Sequence, residues 1–236
     1  MRQDRGADGT PRTRLFIALA LVAVSIVFWD SLVLAPVKLF VVLLHELSHG
    51  AAALATGGSI VRIEIDPRIG GSCLTQGGWH FAVVSSGYIG SLLLGGAVLL
   101  LSQRRAAASI IAWSIGIGVL IVTLAFVRNG FGIVFGVAFG AAMIALARFM
   151  PRQYLDIALL YLGAMSSLYA VVDVKEDLLT MQPRLTDAAI LASMTGIPAI
   201  VWGLLWTATS AVTLVILFRI VWRRSASPDT AGSNRN

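Results

Sequence analysis

The sequence predicts an all-α polytopic membrane protein with about six to seven transmembrane helices and one small β-hairpin. Three observations carry that expectation. Of the 236 residues, 57% are hydrophobic and only 13% are charged, about half the charged share of an ordinary soluble domain. The mean hydropathy is +0.84. The apolar residues also gather in runs of about 20, the length at which a helix covers a bilayer core of about 30 Å.

Seven such runs follow one another: 15–34, 36–55, 81–102, 107–127, 130–147, 153–172 and 197–218, separated by Pro, Gly or charge. The first is too long for the core of a signal peptide alone, and no clear small-residue cleavage site follows Trp29-Asp30, so it is expected to be a retained span. Arg128-Asn129-Gly130 marks a break in what would otherwise be one over-long helix from 107 to 147. Two stretches do not read as spans. Within 59–80, Ser59 to Asp66 alternates apolar and polar residues with period two and then meets Gly70-Gly71 and Gly77-Gly78, the pattern of strand, turn and strand. A hairpin cannot face lipid with unpaired edge groups, so it is expected at the interface or inside the protein. The stretch 173–195 is polar and then amphipathic, and reads as a short surface or re-entrant helix. These elements make one membrane-embedded domain over 14–222, between disordered tails at 1–13 and 223–236.

The net charge of +6 would suggest nucleic acid in a soluble chain. Here the basic residues sit in tails and in short gaps such as Arg104-Arg105, Arg148 with Arg152, and Arg219 with Arg223-Arg224. Membrane topology places them there, and no nucleic-acid partner is expected. With seven full crossings the basic residues divide evenly between the two sides, against the positive-inside bias; an even number of crossings restores it. The single cysteine, Cys73, excludes an intramolecular disulfide and a cysteine-rich metal cluster.

The string that carries chemistry is His45-Glu46-Leu47-Ser48-His49, inside the apolar run that starts at Leu39. On a helix, residues i and i+4 share a face, so both imidazoles can reach one zinc ion, while Glu46 projects about 100° round the axis and can act on water without ligating. With three His and three Glu in the chain, shuffling produces this pattern with odds on the order of one in two thousand. Its placement inside a span adds weight, since intramembrane ionisable groups mark functional sites by default.

With Ser85-Ser86-Gly87-Tyr88-Ile89-Gly90-Ser91 opening the next span after a Gly-rich hairpin, the chain resembles the site-2 protease class of intramembrane zinc metalloproteases, and within it the small bacterial M50B-like branch. The resemblance covers roughly residues 36–215. It implies a zinc peptidase that cuts membrane-protein substrates within or near the lipid bilayer of a bacterial plasma membrane, with His45 and His49 as ligands and Glu46 as general base.

Two strings common in that class are missing: Leu-Asp-Gly in a later span, the usual source of the third ligand, and Gly-Pro-x-x-Asn in the span after the hairpin. The third ligand is therefore ranked by position. Asp173, closing the run Leu168 to Val172, comes first. Asp187 is the alternative, although Thr186-Asp187 also reads as a helix N-cap. His80, Asp30 and Asp156 follow, each near a span end. Asn129 is a candidate donor to substrate backbone or an oxyanion, and equally a turn residue. The hairpin offers an edge to which an extended substrate segment could add as a strand. Gly132, Gly136 and Gly140 read as close helix packing. The rival functions are a catalytically inactive relative and a metal-binding transporter or scaffold.

Overall fold

The computed structural model describes residues 11–68, 70–103, 107–179 and 186–226, with the backbone alone described at 11, 169–179, 225 and 226. The elements run α1 (Pro11–Val27), α2 (Ala35–Ala55), β1 (Ser59–Asp66), β2 (Gly70–Gln76), α3 (His80–Leu101), α4 (Ala108–Phe126), α5 (Gly130–Phe149), α6 (Arg152–Leu179), α7 (Asp187–Thr195) and α8 (Ala199–Ala226). Local chemistry explains the boundaries. A proline lies in the first turn of α2, where its missing N–H costs nothing. The Thr186 hydroxyl accepts from the Ala189 amide to start α7, and Gly196 in the left-handed region ends it; both are favoured terminating devices.

The architecture is the all-α polytopic one, with the hairpin directly after α2. Among the described residues, five helical segments are long and apolar enough to cross a membrane: Leu32–Ala55, His80–Leu101, Ala108–Phe126, Gly130–Phe149 and Ala199–Arg224. The described part of α1 has 17 residues, about 25 Å of helix. Helix takes in 11–13 and 223–226 of the expected tails, and the rest of both tails lies outside the described residues. Of the stretch expected as one amphipathic segment, 173–179 continues α6 and 187–195 forms α7. No proline or glycine interrupts the chain between Val172 and Leu179, so nothing there breaks the helix.

Small residues set the helix pairing. α2 and α3 run antiparallel, with Ser86 donating to the Ser48 carbonyl at 3.0 Å. α3 and α6 run antiparallel, the backbone of Leu99 and Gly95 approaching Gly163 so closely that a Cβ there would lie 2.7 Å from the Leu99 nitrogen. α4 and α5 pair through Gly116 against the Gly140 carbonyl and through Gly136 and Gly140 against Thr123 and Leu120, the close packing expected of small residues in apolar helices.

The hairpin is antiparallel, with Ile63 opposite Cys73 and Ile65 opposite Gly71, and a bulge between Ile60 and Arg62. Its stem is built on glycine. Gly77 and Gly78 have φ of 73° and 81°, a region L side chains rarely adopt, and a Cβ on Gly58 would lie 2.7 Å from the Gly77 carbonyl. Ile63 and Ile65 are almost fully buried and join the core formed by Leu39 to Leu43 of α2, Val127 and residues of α4 to α6. The alternate residues Arg62 and Glu64 point outward and pair at 3.0 Å. The hairpin thus packs inside the protein along one face, as its alternating pattern requires.

Candidate metal centre

Three elements distant in sequence build the centre. α2 supplies His45, Glu46 and His49, all buried. The His45 and His49 rings lie on one face, with centroids 4.7 Å apart, as the four-residue spacing dictates. α7 supplies Asp187, whose Oδ2 lies 3.1 Å from His45 Nε2 and 3.2 Å from His49 Nε2. α3 supplies the wall: the Val83 carbonyl lies 2.7 Å from His49 Nδ1, and the Tyr88 ring meets His45 edge to face at 4.8 Å. The Val83 contact fixes the His49 ring and leaves its Nε2 pointing to the centre, the usual role of a second partner of a ligating histidine.

His45, His49 and Asp187 offer ligand atoms that all lie within 4.8 Å of one another. One carboxylate and two imidazoles suit zinc, and three protein donors leave room for a reactant. The surroundings are shaped to these side chains. A Cβ on Gly87 would sit 2.5 Å from His45 Cε1 and Nε2 and 2.6 Å from His49 Cε1. A Cβ on Gly71 would sit 2.8 Å from Glu46 Cγ and Oε1. Gly87 of α3 and Gly71 of β2 therefore keep the helix and the hairpin close against the motif.

Burial alone would raise the Asp187 carboxyl, but the hydrogen bonds and charges of His45 and His49 outweigh it and hold it below the ordinary carboxylate range. Such a group is anionic at neutral pH, the form a cation requires. Cys73, on β2, is pushed up to about 12 by burial, with the nearby Glu46 charge adding to the effect, so its thiol is unreactive.

The other sequence candidates fall elsewhere. Asp156 pairs with Arg14 at 2.5 Å. His80 opens α3 and is exposed, and Asp30 lies in the connection between α1 and α2. The side chain of Asp173 lies outside the described residues, its backbone forming part of α6. Asn129 meets the hairpin: its Nδ2 donates to the Ile65 carbonyl at 2.7 Å, and its Oδ1 accepts from the Ile65 amide at 3.1 Å. With the Arg128 amide donating to the Ile63 carbonyl at 3.1 Å, this turn occupies the outer edge of β1. Nothing local in the sequence signals that pairing, which joins residues 64 apart.

The peptidase M50B-like family model matches residues 18–217. The chain belongs to the peptidase M50B-like family. No curated protein and no solved structure matches it. In this M50B-like chain the family match spans every element of the centre, from α2 through α3 to α7. With its apolar helices, it is an integral membrane protein of a peptidase family.

Proposed function

We propose that the chain is a zinc-dependent intramembrane endopeptidase that hydrolyses peptide bonds of membrane-protein substrates. The observation that carries this reading is the convergence of His45 Nε2 and His49 Nε2 on one carboxylate oxygen of Asp187, beside a buried Glu46 on the same helix as the histidines. His45, His49 and Asp187 would hold the ion. Bound zinc would supply Lewis acidity, polarising a carbonyl and making water acidic near neutral pH.

Glu46 is placed to take a proton from the attacking water and return it to the leaving amine, the double role of a general base and acid. Its carboxylate sits over Gly71 of β2, and that strand offers the means to present a substrate. Ile63 and Ile65 direct their amide and carbonyl groups toward 127–129. Their partners across the ladder, Cys73 and Gly71, therefore direct theirs away from β1, because paired residues in an antiparallel ladder alternate between inward and outward groups. An extended substrate segment adding to this edge would lie next to Glu46, with its amides freed from helical hydrogen bonds. Asn129 serves this arrangement by holding the opposite edge of the hairpin.

Metal content of the purified variants tests the ligand set. The native chain should carry one zinc, which His45→Ala and Asp187→Ala lose and Asp173→Ala keeps. Zinc that survives Asp187→Ala but is lost in Asp173→Ala would return the third-ligand role to Asp173. Stoichiometric zinc without cleavage of any membrane-protein substrate would favour an inactive relative or a metal-binding scaffold.

A further inference from the structure

The helix pairings fix which end of the bundle carries the centre. α2 runs antiparallel to α3, and α3 antiparallel to α6, with Ser167 of α6 donating to the Leu92 carbonyl at 3.4 Å. α2 and α6 therefore start at the same end. α1 starts there as well, because Arg14 pairs with Asp156 in the second turn of α6. Trp29, just past the end of α1, lies against Lys38 in the first turn of α2, so α1 and α2 run the same way and α1 leads into α2 rather than crossing and returning. α8 runs parallel to α3, through Tyr88 against Trp206 and Leu217 beside Gly96, so it finishes at the α1 end, where Phe16 and Arg12 meet Trp222.

The two ends differ in charge. At the end where α1 starts stand Arg12 and Arg14, Arg148 in the last turn of α5, Arg152 opening α6, and Arg219, Arg223 and Arg224 closing α8. At the opposite end, among the described residues, the basic side chains are Arg62, Arg68 and Arg128. Arg62 is matched by Glu64. Basic residues flanking spans are retained on the cytoplasmic side, which makes the α1 end cytoplasmic.

The hairpin, the α4–α5 turn and α7 all belong to the other end. Between the hairpin turn and Asn129 lies a cleft of about 370 Å³, lined by Glu64, Asp66, Arg68, Ser72 and Gly71 among others. Polar and charged side chains beside apolar spans need water. Gly71 lines this cleft and also lies against the buried Glu46, so the cleft approaches the general base from that end.

We propose that the metal centre is served from the non-cytoplasmic face, through the cleft between the hairpin turn and Asn129, and that its substrates are membrane proteins presenting an extended segment on that face. The choice of substrate class rests on the peptidase reading above; the orientation does not.

Single cysteines introduced into the full chain in a Cys73→Ala background test it, using a membrane-impermeant maleimide on intact cells. Ile197→Cys, between α7 and α8, and Ser72→Cys, in the cleft, should be labelled in intact cells. Phe149→Cys, at the last residue of α5, should be labelled only after permeabilisation, which also establishes that all three thiols react. Labelling of Phe149→Cys in intact cells, or protection of Ile197→Cys until permeabilisation, overturns the orientation. Protection of Ser72→Cys alone, with Ile197→Cys labelled, overturns the cleft as the route. Repeating the series with Glu46→Gln should give the same pattern, so a failed orientation and a failed peptidase assignment are read separately.

Discussion

Adding one methyl group at Gly87 should disable the centre while leaving the fold in place. The new Cβ would lie 2.5 Å from two atoms of the His45 ring and 2.6 Å from His49 Cε1, against an ordinary carbon contact of about 3.5–4.0 Å. Both rings must retreat by about 1 Å or α3 must move away by as much. Overpacking of this kind costs about 1–3 kcal/mol. Alanine recovers up to about 1 kcal/mol of helix propensity over glycine, so the net loss of stability is small. The loss at the site is larger. Retreat of His49 strains its 2.7 Å contact with the Val83 carbonyl, and loss of such an orienting partner lowers metal affinity about 10–100-fold. A misplacement of about 1 Å also costs about 100-fold in rate. Zinc affinity by chelator competition, cleavage of a reporter membrane protein and thermal unfolding in detergent separate these effects. Gly118→Ala on α4 is the control, since its added Cβ meets nothing within 4 Å. A Gly87→Ala protein with native zinc affinity and native cleavage would refute the packing argument.

Other substitutions probe the remaining walls. Gly71→Ala presses a Cβ against Glu46 Cγ and Oε1 rather than the histidines; zinc content should stay at one per chain while cleavage falls about 10- to 100-fold. Leu191→Ala touches no ligand, but Leu191 is fully buried beside Tyr88 and Trp206 and anchors α7. The cavity should cost about 2–5 kcal/mol and weaken zinc binding, because Asp187 rides on the same helix; unchanged affinity would mean that α7 docks without that anchor.

The sequence was informative where geometry is local. Four residues separate His45 from His49, and helical periodicity alone sets their rings on one face. Period-two alternation likewise announced β1, with Ile63 and Ile65 inward. The runs of about 20 apolar residues located α2 to α5 within about two residues, whereas α6 and α8 run on to Leu179 and Ala226, past the ends of theirs. What depended on distant contacts was less legible. Membrane depth is the only coordinate a sequence offers for a third ligand, and it favoured Asp173. Proximity to the histidines depends instead on how α7 folds back after α6, a matter decided by Ala188 and Leu191 packing under Val84, Tyr88 and Trp206. The same limit applies to Asn129: a turn was evident, but its double hydrogen bond to Ile65 requires the hairpin to lie beside the α4–α5 turn.

Glu46→Gln tests the central claim most directly, with bound zinc and cleavage measured on the same membrane preparation. The substitution keeps the shape of the side chain and removes its capacity to accept a proton, while His45, His49 and Asp187 stay in place. The account predicts one zinc per chain, as in the native protein, and cleavage reduced by about 10²–10⁴-fold. Native-level cleavage with zinc retained would contradict it, because the reaction would then need no base at that position.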